Sequence, residues 1–226
     1  MNLESPLNND SYRFERKFFI RRDRLDHFLV DMLKNGYSEI FYNRQINNLY
    51  LDNFAFDDVI DNVEGFSNRQ KTRIRWYGGL FDASKKVLEQ KIKCDDVNRK
   101  ESVKLKSLKL HSLESIDTLY DKVIDILNDK NQYLHDCHHK RPALLNRYSR
   151  NYFMSSDDEI RVTLDQDLYY YSPIFKSEYQ DRNIVVELKS NSNIIMQDNM
   201  FHDLVLSKYS KYVKGILSTS TFQSIY

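Results

Sequence analysis

Residues 69–79 read RQKTRIRWYGG, and their side chains alternate in character as those of a β-strand do. One set of alternate positions is cationic and the other is largely apolar: Lys71, Arg73 and Arg75 against Thr72, Ile74 and Trp76. Because successive side chains of a strand point to opposite faces of a sheet, the three cations are predicted to share one face. A solvated sheet face is the simplest explanation of such a row, and an anion-binding surface is the alternative.

The composition is that of an ordinary globular chain with many charged residues and almost no net charge. Of the 226 residues, 41% are hydrophobic and 30% are charged, and the formal net charge is only +1. A net charge so close to zero argues against a general nucleic-acid binder held by bulk charge, so no nucleic-acid partner is expected. Any cationic site must therefore be balanced by acids elsewhere in the chain.

The sequence shows no targeting signal. No apolar run approaches the roughly 18 residues of a membrane span, and the start, MNLESPLNND, lacks the basic and apolar regions of a signal peptide. Cys94 and Cys137 lie far apart without a Cys-x-x-Cys pattern, which argues against zinc and against a disulfide framework. We therefore expect a cytoplasmic chain, with residues 1–11 disordered or loosely held and residues 12–226 forming a single domain.

Alternation of apolar and polar residues predicts about eight strands in a mostly antiparallel sheet. The predicted strands are roughly 12–20, 45–52, 69–77, 86–94, 100–106, 145–154, 160–169 and 183–189. A stripe of apolar residues between positions 113 and 127 predicts a helix. The predicted fold class is therefore α+β.

Several other predicted strands also place long cations on one face, together with glutamates and tyrosines. The residues that share a face are Arg13, Glu15 and Lys17; Glu89, Lys91 and Lys93; Tyr148, Arg150 and Tyr152; Arg161; and Glu187 and Lys189. Such a sheet can leave its polar face in solvent, or it can close into an eight-stranded antiparallel β-barrel with the polar face inside and helices packed outside. We favour the closed barrel, because solvated faces more often mix small polar residues with both signs of charge. A lining of arginine and lysine requires a polyanion, and phosphate chains are its natural occupant.

An ordered set of motifs carries a family resemblance. RFERKFFI, NNLYLDN, KTRIRWYG, VLEQKIK, RPALLNRYSRNYF, IRVTLDQDL, VVELK and SKYSKYVKGI occur in that order. Together they resemble the VTC domain, the polyphosphate-polymerase branch of the triphosphate tunnel metalloenzymes, over residues 12 to about 217. The resemblance implies an eight-stranded tunnel that holds triphosphate or polyphosphate. It also implies transfer of the ATP γ-phosphate onto a polyphosphate chain with Mn²⁺ or Mg²⁺.

The resemblance assigns roles to individual positions of this sequence. The cations that would contact the reacting phosphates are Lys17, Arg73, Arg75, Lys91, Arg150 and Lys189. Further substrate-binding residues would be Tyr148, Arg161, Lys208, Ser210 and Lys211, with both lysines on one side of a helix near the tunnel mouth. Glu187 would bind the metal, and Glu89 and Glu15 are either further ligands or charge partners of the cations. Lys71 has no counterpart in the family pattern and is placed at the tunnel mouth, and Trp76 is placed beneath a helix on the outer face.

One departure from the wider superfamily bears on the reaction. Thiamine triphosphatase and class IV adenylyl cyclase open with Glu-x-Glu-x-Lys, whereas the corresponding positions here are Arg13, Glu15 and Lys17. The loss of a carboxylate weakens the case for a two-metal hydrolase and suits the VTC branch. A metal-dependent tripolyphosphatase and a non-catalytic module that binds polyphosphate or nucleotide remain the alternatives to a polymerase.

Overall fold

The computed structural model describes residues 14–95, 97–129, 137–190, 201 and 204–220, so the prediction for residues 1–11 lies outside the described residues. In these ranges the helices α1–α4 are Leu25–Lys34, Asp57–Glu64, Ile116–Asp129 and Lys211–Thr219. The strands β1–β10 are Phe14–Ile20, Ser38–Asp52, Arg69–Tyr77, Ser84–Cys94, Val97–Leu108, Arg141–Met154, Ile160–Ser172, Ser177–Gln180, Ile184–Ser190 and Val205–Leu206. A largely antiparallel sheet with helices agrees with the α+β prediction, and each predicted strand overlaps an observed one.

The strands pair in the order β10–β1–β9–β7–β6–β2–β3–β4–β5, and β8 pairs with β7. In the part of the chain that the structure describes, this order has two ends, β10 and β5, which are not paired with each other. The predicted closed eight-stranded barrel is therefore wrong. Closure would require the outer edge of β1 to pair with β5, whereas Phe18 and Phe19 on that strand pair with Leu206 and Val205 of β10. Alternation within a strand predicts its two faces, and it carries no information about which strand will cover its edge.

The first compact unit consists of the described residues of Met1–Asn43, Asn151–Asp165 and Asn183–Lys208. Alternate residues of β1, β7 and β9 pack with residues of α1 to form its core. The core includes Phe18, Ile20, Phe28, Met32, Val162, Leu164, Val186 and Leu188. The charged residues that alternate with these strand positions lie on the opposite face, because the side-chain period of a strand is two.

The second compact unit consists of the described residues of Arg44–Arg150, Gln166–Arg182 and Tyr209–Tyr226. Trp76 of β3 is fully buried in the same core as Leu119 and Val123 of α3. Its indole Nε1–H donates to the backbone carbonyl of Leu80 at 3.2 Å, so its one polar group is satisfied. Trp76 therefore lies on the helix-packed face of β3, as predicted.

Helix α4 is held in the second unit by a buried hydrogen bond and by a glycine contact. The Tyr212 hydroxyl donates to the completely buried carboxylate of Asp52 at 2.5 Å, and the Asp58 and Val59 amides at the start of α2 donate to the same carboxylate at 3.2 Å. A Cβ atom added at Gly215 would lie 2.3 Å from the Leu144 side chain. Only glycine allows this close approach, so α4 and the residue at its first position, Lys211, are positioned firmly.

The structure bears on the state of the cysteines and on membrane-spanning helices. Cys94, which is exposed, and Cys137, which is buried, are both free thiols. Among the helices that the structure describes, none combines the length and the apolarity needed to span a bilayer. The prediction that residues 12–226 form a single domain stays a prediction.

Lys86 on β4 is a cation buried in the apolar side of the second unit. The residue has 0% exposure, its Nζ lies 4.3 Å from the centroid of the Trp76 ring, and it lies 3.4 Å from the Ser84 hydroxyl. Burial lowers the pKa of Lys86 to about 8, from an ordinary value of 10.5. Because the folded chain binds this proton less tightly than the unfolded chain, the free energy of unfolding should rise with pH between about 8 and 10.5.

Replacement of Lys86 by methionine is expected to stabilise the protein at pH 7. Methionine keeps the length of the side chain and removes a buried charge, and we expect the melting temperature to rise by about 2–4 °C. The gain should shrink as the pH approaches 10, where the wild-type amine is neutral. Lys85→Met, at the exposed neighbouring position, is the control and should change little. A lower melting temperature for Lys86→Met at pH 7 would contradict this assignment of the buried charge.

Candidate anion-binding site

Two arginines of β3 lie on one face of the strand with most of their side chains buried. The exposed fractions of the Arg73 and Arg75 side chains are 14% and 18%, and Ile74 between them is completely buried on the core face. A buried guanidinium requires an anionic or acceptor partner, because an unpaired charge in the protein interior is strongly destabilising.

Glu89 on β4 is the partner of both arginines. Its Oε2 accepts hydrogen bonds from Arg73 Nε at 2.9 Å and from Arg73 Nη2 at 2.7 Å, and Arg75 Nη1 lies 3.5 Å from the same oxygen. Lys100 on β5 reaches the other oxygen, with 2.9 Å between its Nζ and Glu89 Oε1. We call Arg73, Arg75, Glu89 and Lys100 the arginine cluster. Three cations surround one carboxylate, so the cluster keeps a net positive charge that can attract an anion.

The charges of the arginine cluster stabilise one another. Burial raises the pKa of Glu89, but attraction to Arg73 and Arg75 and hydrogen bonding to Lys100 outweigh burial and lower the pKa to about 2. Burial also lowers the pKa of Arg73, whereas Tyr50, Glu89 and Tyr148 together raise it above its ordinary value. Glu89 and Arg73 are therefore both charged at neutral pH and already paired with each other.

Two buried asparagines orient Arg75. The Arg75 Nε–H donates to Asn48 Oδ1 at 3.0 Å, and the Asn48 amide donates in turn to Asn146 Oδ1 at 2.9 Å. A guanidinium can only donate, so it requires an acceptor oxygen from Asn48, and this fixes the direction of both amide groups. Both asparagines have 0% exposure. The buried amides hold the Nε side of Arg75 and leave its terminal nitrogens on the side of Glu89.

Tyr148 brings two further predicted residues together. The hydroxyphenyl ring is buried, and the centroid of the ring lies 4.7 Å from Lys211 Nζ and 5.3 Å from Arg150 Cζ. Cations over an aromatic face are attracted by its quadrupole. Tyr148 also contributes to raising the pKa of Arg73.

Helix α4 begins at Lys211, three residues after Lys208, which the prediction placed on the same helix. The Ser210 side chain caps the helix by accepting from the Val213 amide at 3.5 Å, and Lys208 lies before the cap with an exposed side chain. The prediction that Lys208 and Lys211 share one side of a helix is therefore wrong, because the N-cap Ser210 has non-helical backbone angles and the helix begins only at Lys211. Ser210 also accepts a hydrogen bond from Lys71 Nζ at 3.1 Å, so Lys71 is anchored beside the start of α4.

Lys91 is the remaining predicted cation of the second unit. It is exposed on β4, two residues after Glu89 and on the same face. The strand register sets it directly opposite Lys71 on β3 and directly opposite Lys100 on β5. Lys91 is thus next to the arginine cluster along the same sheet face.

The predicted residues of β1, β7 and β9 form a charged group in the first unit. Lys17 lies opposite Glu187 and Glu15 opposite Lys189, while Arg161 lies on the other side of Lys189. Lys17 Nζ is 3.0 Å from Glu15, and Lys189 Nζ is 2.9 Å from Glu187 and 3.5 Å from Glu15. We call Glu15, Lys17, Glu187 and Lys189 the carboxylate–lysine group.

Glu15 and Glu187 are the predicted metal ligands that fit a divalent cation. Burial and the nearby carboxylate of Glu187 raise the pKa of Glu15, and Lys17 and Lys189 outweigh them and leave it below its ordinary value. The two carboxylates are close enough to repel each other, and Mg²⁺ is commonly held by one or two protein carboxylates together with phosphate oxygens. Glu89 fits this role less well, because it is a single carboxylate shared by three cations, with no second carboxylate among them. No group of three or more His, Cys, Asp or Glu side chains suited to a metal occurs among the described residues.

Sequence reasoning missed three residues of the site: Asn48, Lys100 and Asn146. Lys100 lies on a predicted strand, where Lys100, Ser102 and Lys104 alternate with Glu101, Val103 and Leu105. This alternation could have assigned Lys100 to the cationic face. The asparagines carried no such signal, since an amide on a strand is equally common on solvated faces.

Known proteins resemble this chain in sequence. The VTC domain family matches residues 12–220. Vacuolar transporter chaperone complex subunit 2 of Schizosaccharomyces pombe is 28% identical over 134 residues, which cover 53% of this chain. This chain spans only 18% of the length of that subunit.

Two solved structures share the fold. A candidate adenylate cyclase from Vibrio parahaemolyticus superposes with a TM-score of 0.52 at 16% identity, covering 93% of this chain and 100% of that one. A candidate adenylyl cyclase from Hippeastrum, for which a dominant triphosphatase activity is described, has a TM-score of 0.51 at 14% identity, covering 92% and 97% of the two chains. At these identities the likeness concerns the fold alone. Since the family match extends over nearly the whole chain, the chain belongs to the VTC domain family.

Proposed function

We propose that this protein is a phosphotransferase that moves the γ-phosphate of ATP onto an inorganic polyphosphate chain. The observation that carries the proposal is the arginine cluster, in which three cations around Glu89 are already held in position before any phosphate binds. Membership of the VTC domain family supports the same reaction. A cytoplasmic location, which suits the two free thiols, is part of the proposal.

The chemistry of phosphoryl transfer matches what these side chains can do. The transferred group carries its charge on non-bridging oxygens, so catalysis depends on positioning and on neutralising that charge. Arg73 is held by two hydrogen bonds to Glu89 and Arg75 by Asn48 and Glu89, so both guanidinium groups are oriented before substrate arrives. The acceptor phosphate is itself an anion, and the transfer therefore needs no general base.

We propose that Glu15 and Glu187 hold the divalent cation, Mn²⁺ or Mg²⁺. When bound, the ion would neutralise phosphate charge and polarise phosphoryl oxygens. Lys17 and Lys189 hold the two carboxylates in place through the ion pairs of the carboxylate–lysine group.

A metal-dependent tripolyphosphatase is the second candidate, and the Glu15–Glu187 pair favours it to some degree. Two carboxylates that hold a divalent cation can also serve a reaction in which water replaces the phosphate acceptor. We place this reaction second, because the first-strand position that is a carboxylate in the wider superfamily is Arg13 in this chain.

Incubation of the purified protein with ATP and Mn²⁺, followed by gel separation of the products, tests the proposal. We expect long phosphate chains to appear together with ADP, and we expect EDTA to abolish them. A parallel incubation with tripolyphosphate tests the second candidate. Release of free phosphate from tripolyphosphate, without growth of phosphate chains from ATP, would mean that the protein is a tripolyphosphatase and not a polymerase. Tight binding of tripolyphosphate with neither product would leave a non-catalytic binding module.

A further inference from the structure

We propose that Tyr77, the last residue of β3, is a stacking platform for the base of a nucleoside triphosphate whose phosphates lie at the arginine cluster. The proposal deepens the proposed function and rests on it. It assigns a place to the nucleoside, the part of ATP that a bare phosphate chain lacks.

The sheet face that carries the arginine cluster becomes apolar toward the end of β3. Arg75 lies directly opposite Val87 on β4, which is half-buried. Tyr77 lies two residues further along the strand and on the same face as Arg75, directly opposite the buried Ile46 on β2. An aromatic ring between two aliphatic side chains therefore follows the arginines on this face.

The ring of Tyr77 is held by one cation and stays accessible. The Arg44 Cζ atom lies 4.2 Å from the centroid of the ring, at a distance where a guanidinium is attracted to an aromatic face. Tyr77 nevertheless keeps 41% of its surface exposed. Aromatic rings and arginine guanidinium planes are the groups on which proteins stack unpaired bases. The pair of Tyr77 and Arg44 thus presents the kind of surface on which a base stacks.

The spacing along β3 matches a nucleotide. A strand rises about 3.3 Å per residue, so the Tyr77 backbone lies about 6.6 Å from that of Arg75 and about 13 Å from that of Arg73. The base of an extended nucleoside triphosphate is separated from its α-phosphate and its γ-phosphate by distances of this order. A base on Tyr77 would therefore bring the α-phosphate nearest Arg75 and the γ-phosphate nearest Arg73.

This arrangement selects for a nucleoside but hardly between nucleosides. An inorganic phosphate chain is anionic along its whole length and gains nothing from an apolar ring. Stacking on an aromatic side chain tolerates every base, because every base has a π-face. We therefore expect Tyr77 to strengthen the binding of ATP and of GTP to similar extents, and to leave the binding of tripolyphosphate nearly unchanged.

Calorimetric titration of ATP, GTP and tripolyphosphate into the wild type and Tyr77→Leu tests the platform. We expect the variant to lose about tenfold in affinity for both nucleotides, the effect of removing one stacked base, and less than about threefold for tripolyphosphate. Tyr77→Phe keeps the ring and should keep the nucleotide affinities of the wild type.

Tyr169→Leu is the matched control. The Tyr169 ring also lies beside an arginine, with 5.0 Å between its centroid and Arg147 Cζ. Arg147 precedes Tyr148 on β6 and so points to the opposite face of the sheet. Loss of this ring should change none of the three affinities.

Every other outcome overturns the proposal. Equal losses for nucleotides and tripolyphosphate would mean that Tyr77 acts by positioning Arg75, and unchanged ATP affinity would place the base elsewhere; both leave the proposed function intact. Failure of the wild type to bind ATP or tripolyphosphate would remove the proposed function as well. If Tyr77→Leu does not fold, Tyr77→Val, whose branched side chain suits a strand, should show the same selective loss.

Discussion

Replacement of Arg73 by alanine is expected to weaken tripolyphosphate binding by about 100-fold and to reduce any turnover of ATP at least as much. Arg73 is the best-oriented cation of the site, with two hydrogen bonds to Glu89 and a side chain that is only 14% exposed. Charge-assisted contacts of a guanidinium to phosphate are among the strongest hydrogen bonds in proteins, and loss of one preformed donor commonly reduces a rate by 10²–10³. Calorimetric titration and the rate of ADP release measure the two effects.

A conservative variant separates the guanidinium geometry from its charge. Arg73→Lys keeps the positive charge but cannot hold both its present hydrogen bonds and a phosphate in a planar fork, so we expect it to recover only part of the loss. Arg99→Ala is the control. Arg99 lies on β5, on the sheet face opposite to that of Arg73, and 73% of its side chain is exposed. Equal effects of Arg73→Ala and Arg99→Ala would mean that bulk charge, and not the arginine cluster, attracts the ligand.

The second large effect concerns Glu89, the carboxylate that Arg73, Arg75 and Lys100 share. Glu89→Gln is expected to destabilise the free protein by about 3 kcal/mol or more, because it leaves three cations without their shared carboxylate. The same change removes a negative charge from the site and should strengthen tripolyphosphate binding by roughly tenfold. The melting temperature without ligand should therefore fall, and its rise on adding tripolyphosphate should exceed that of the wild type.

The pH dependence of this effect has a definite sign. The pKa of Glu89 is lowered to about 2 from an ordinary 4.5, so its contribution to stability is complete above about pH 5 and is lost as the pH falls toward 2. The stability difference between wild type and Glu89→Gln should shrink over the same interval. Glu101→Gln, at a neighbouring position on the other face, is the control. Weaker tripolyphosphate binding by Glu89→Gln would show that Glu89 acts mainly by orienting Arg73.

The faces of the strands were predictable from the sequence, and so was the composition of most of the site. Period-two alternation placed Arg73 and Arg75 opposite Ile74 and Trp76, and the structure buries the second pair under a helix-packed core. Alternation also put Glu89 and Tyr148 on the cation-rich faces of their strands, and the structure pairs Glu89 with Arg73 and sets Tyr148 beside Arg150 and Lys211. These features depend on local sequence, where each residue carries its own signal.

Features that depend on distant pairing were not predictable. The closed barrel failed because the pairing of β1 with β10 joins segments nearly two hundred residues apart, and alternation says nothing about such pairs. The ion pair between Lys100 and Glu89 depends in the same way on the register of β4 and β5, so alternation could indicate the face of Lys100 but not its partner. The Ser210 cap, by contrast, could have been predicted from the sequence, since serine is among the preferred N-cap residues of helices.

Tripolyphosphate titrated into the wild-type protein at low and at high salt tests most directly whether the arginine cluster binds condensed phosphate. We predict saturable binding of one tripolyphosphate per chain, with an affinity that falls as salt rises because cation–phosphate contacts release counterions. Sulfate at the same ionic strength should compete only weakly, since it cannot reach several cations at once. Absence of binding at low salt, or binding that neither saturates nor responds to Arg73→Ala, would contradict the assignment.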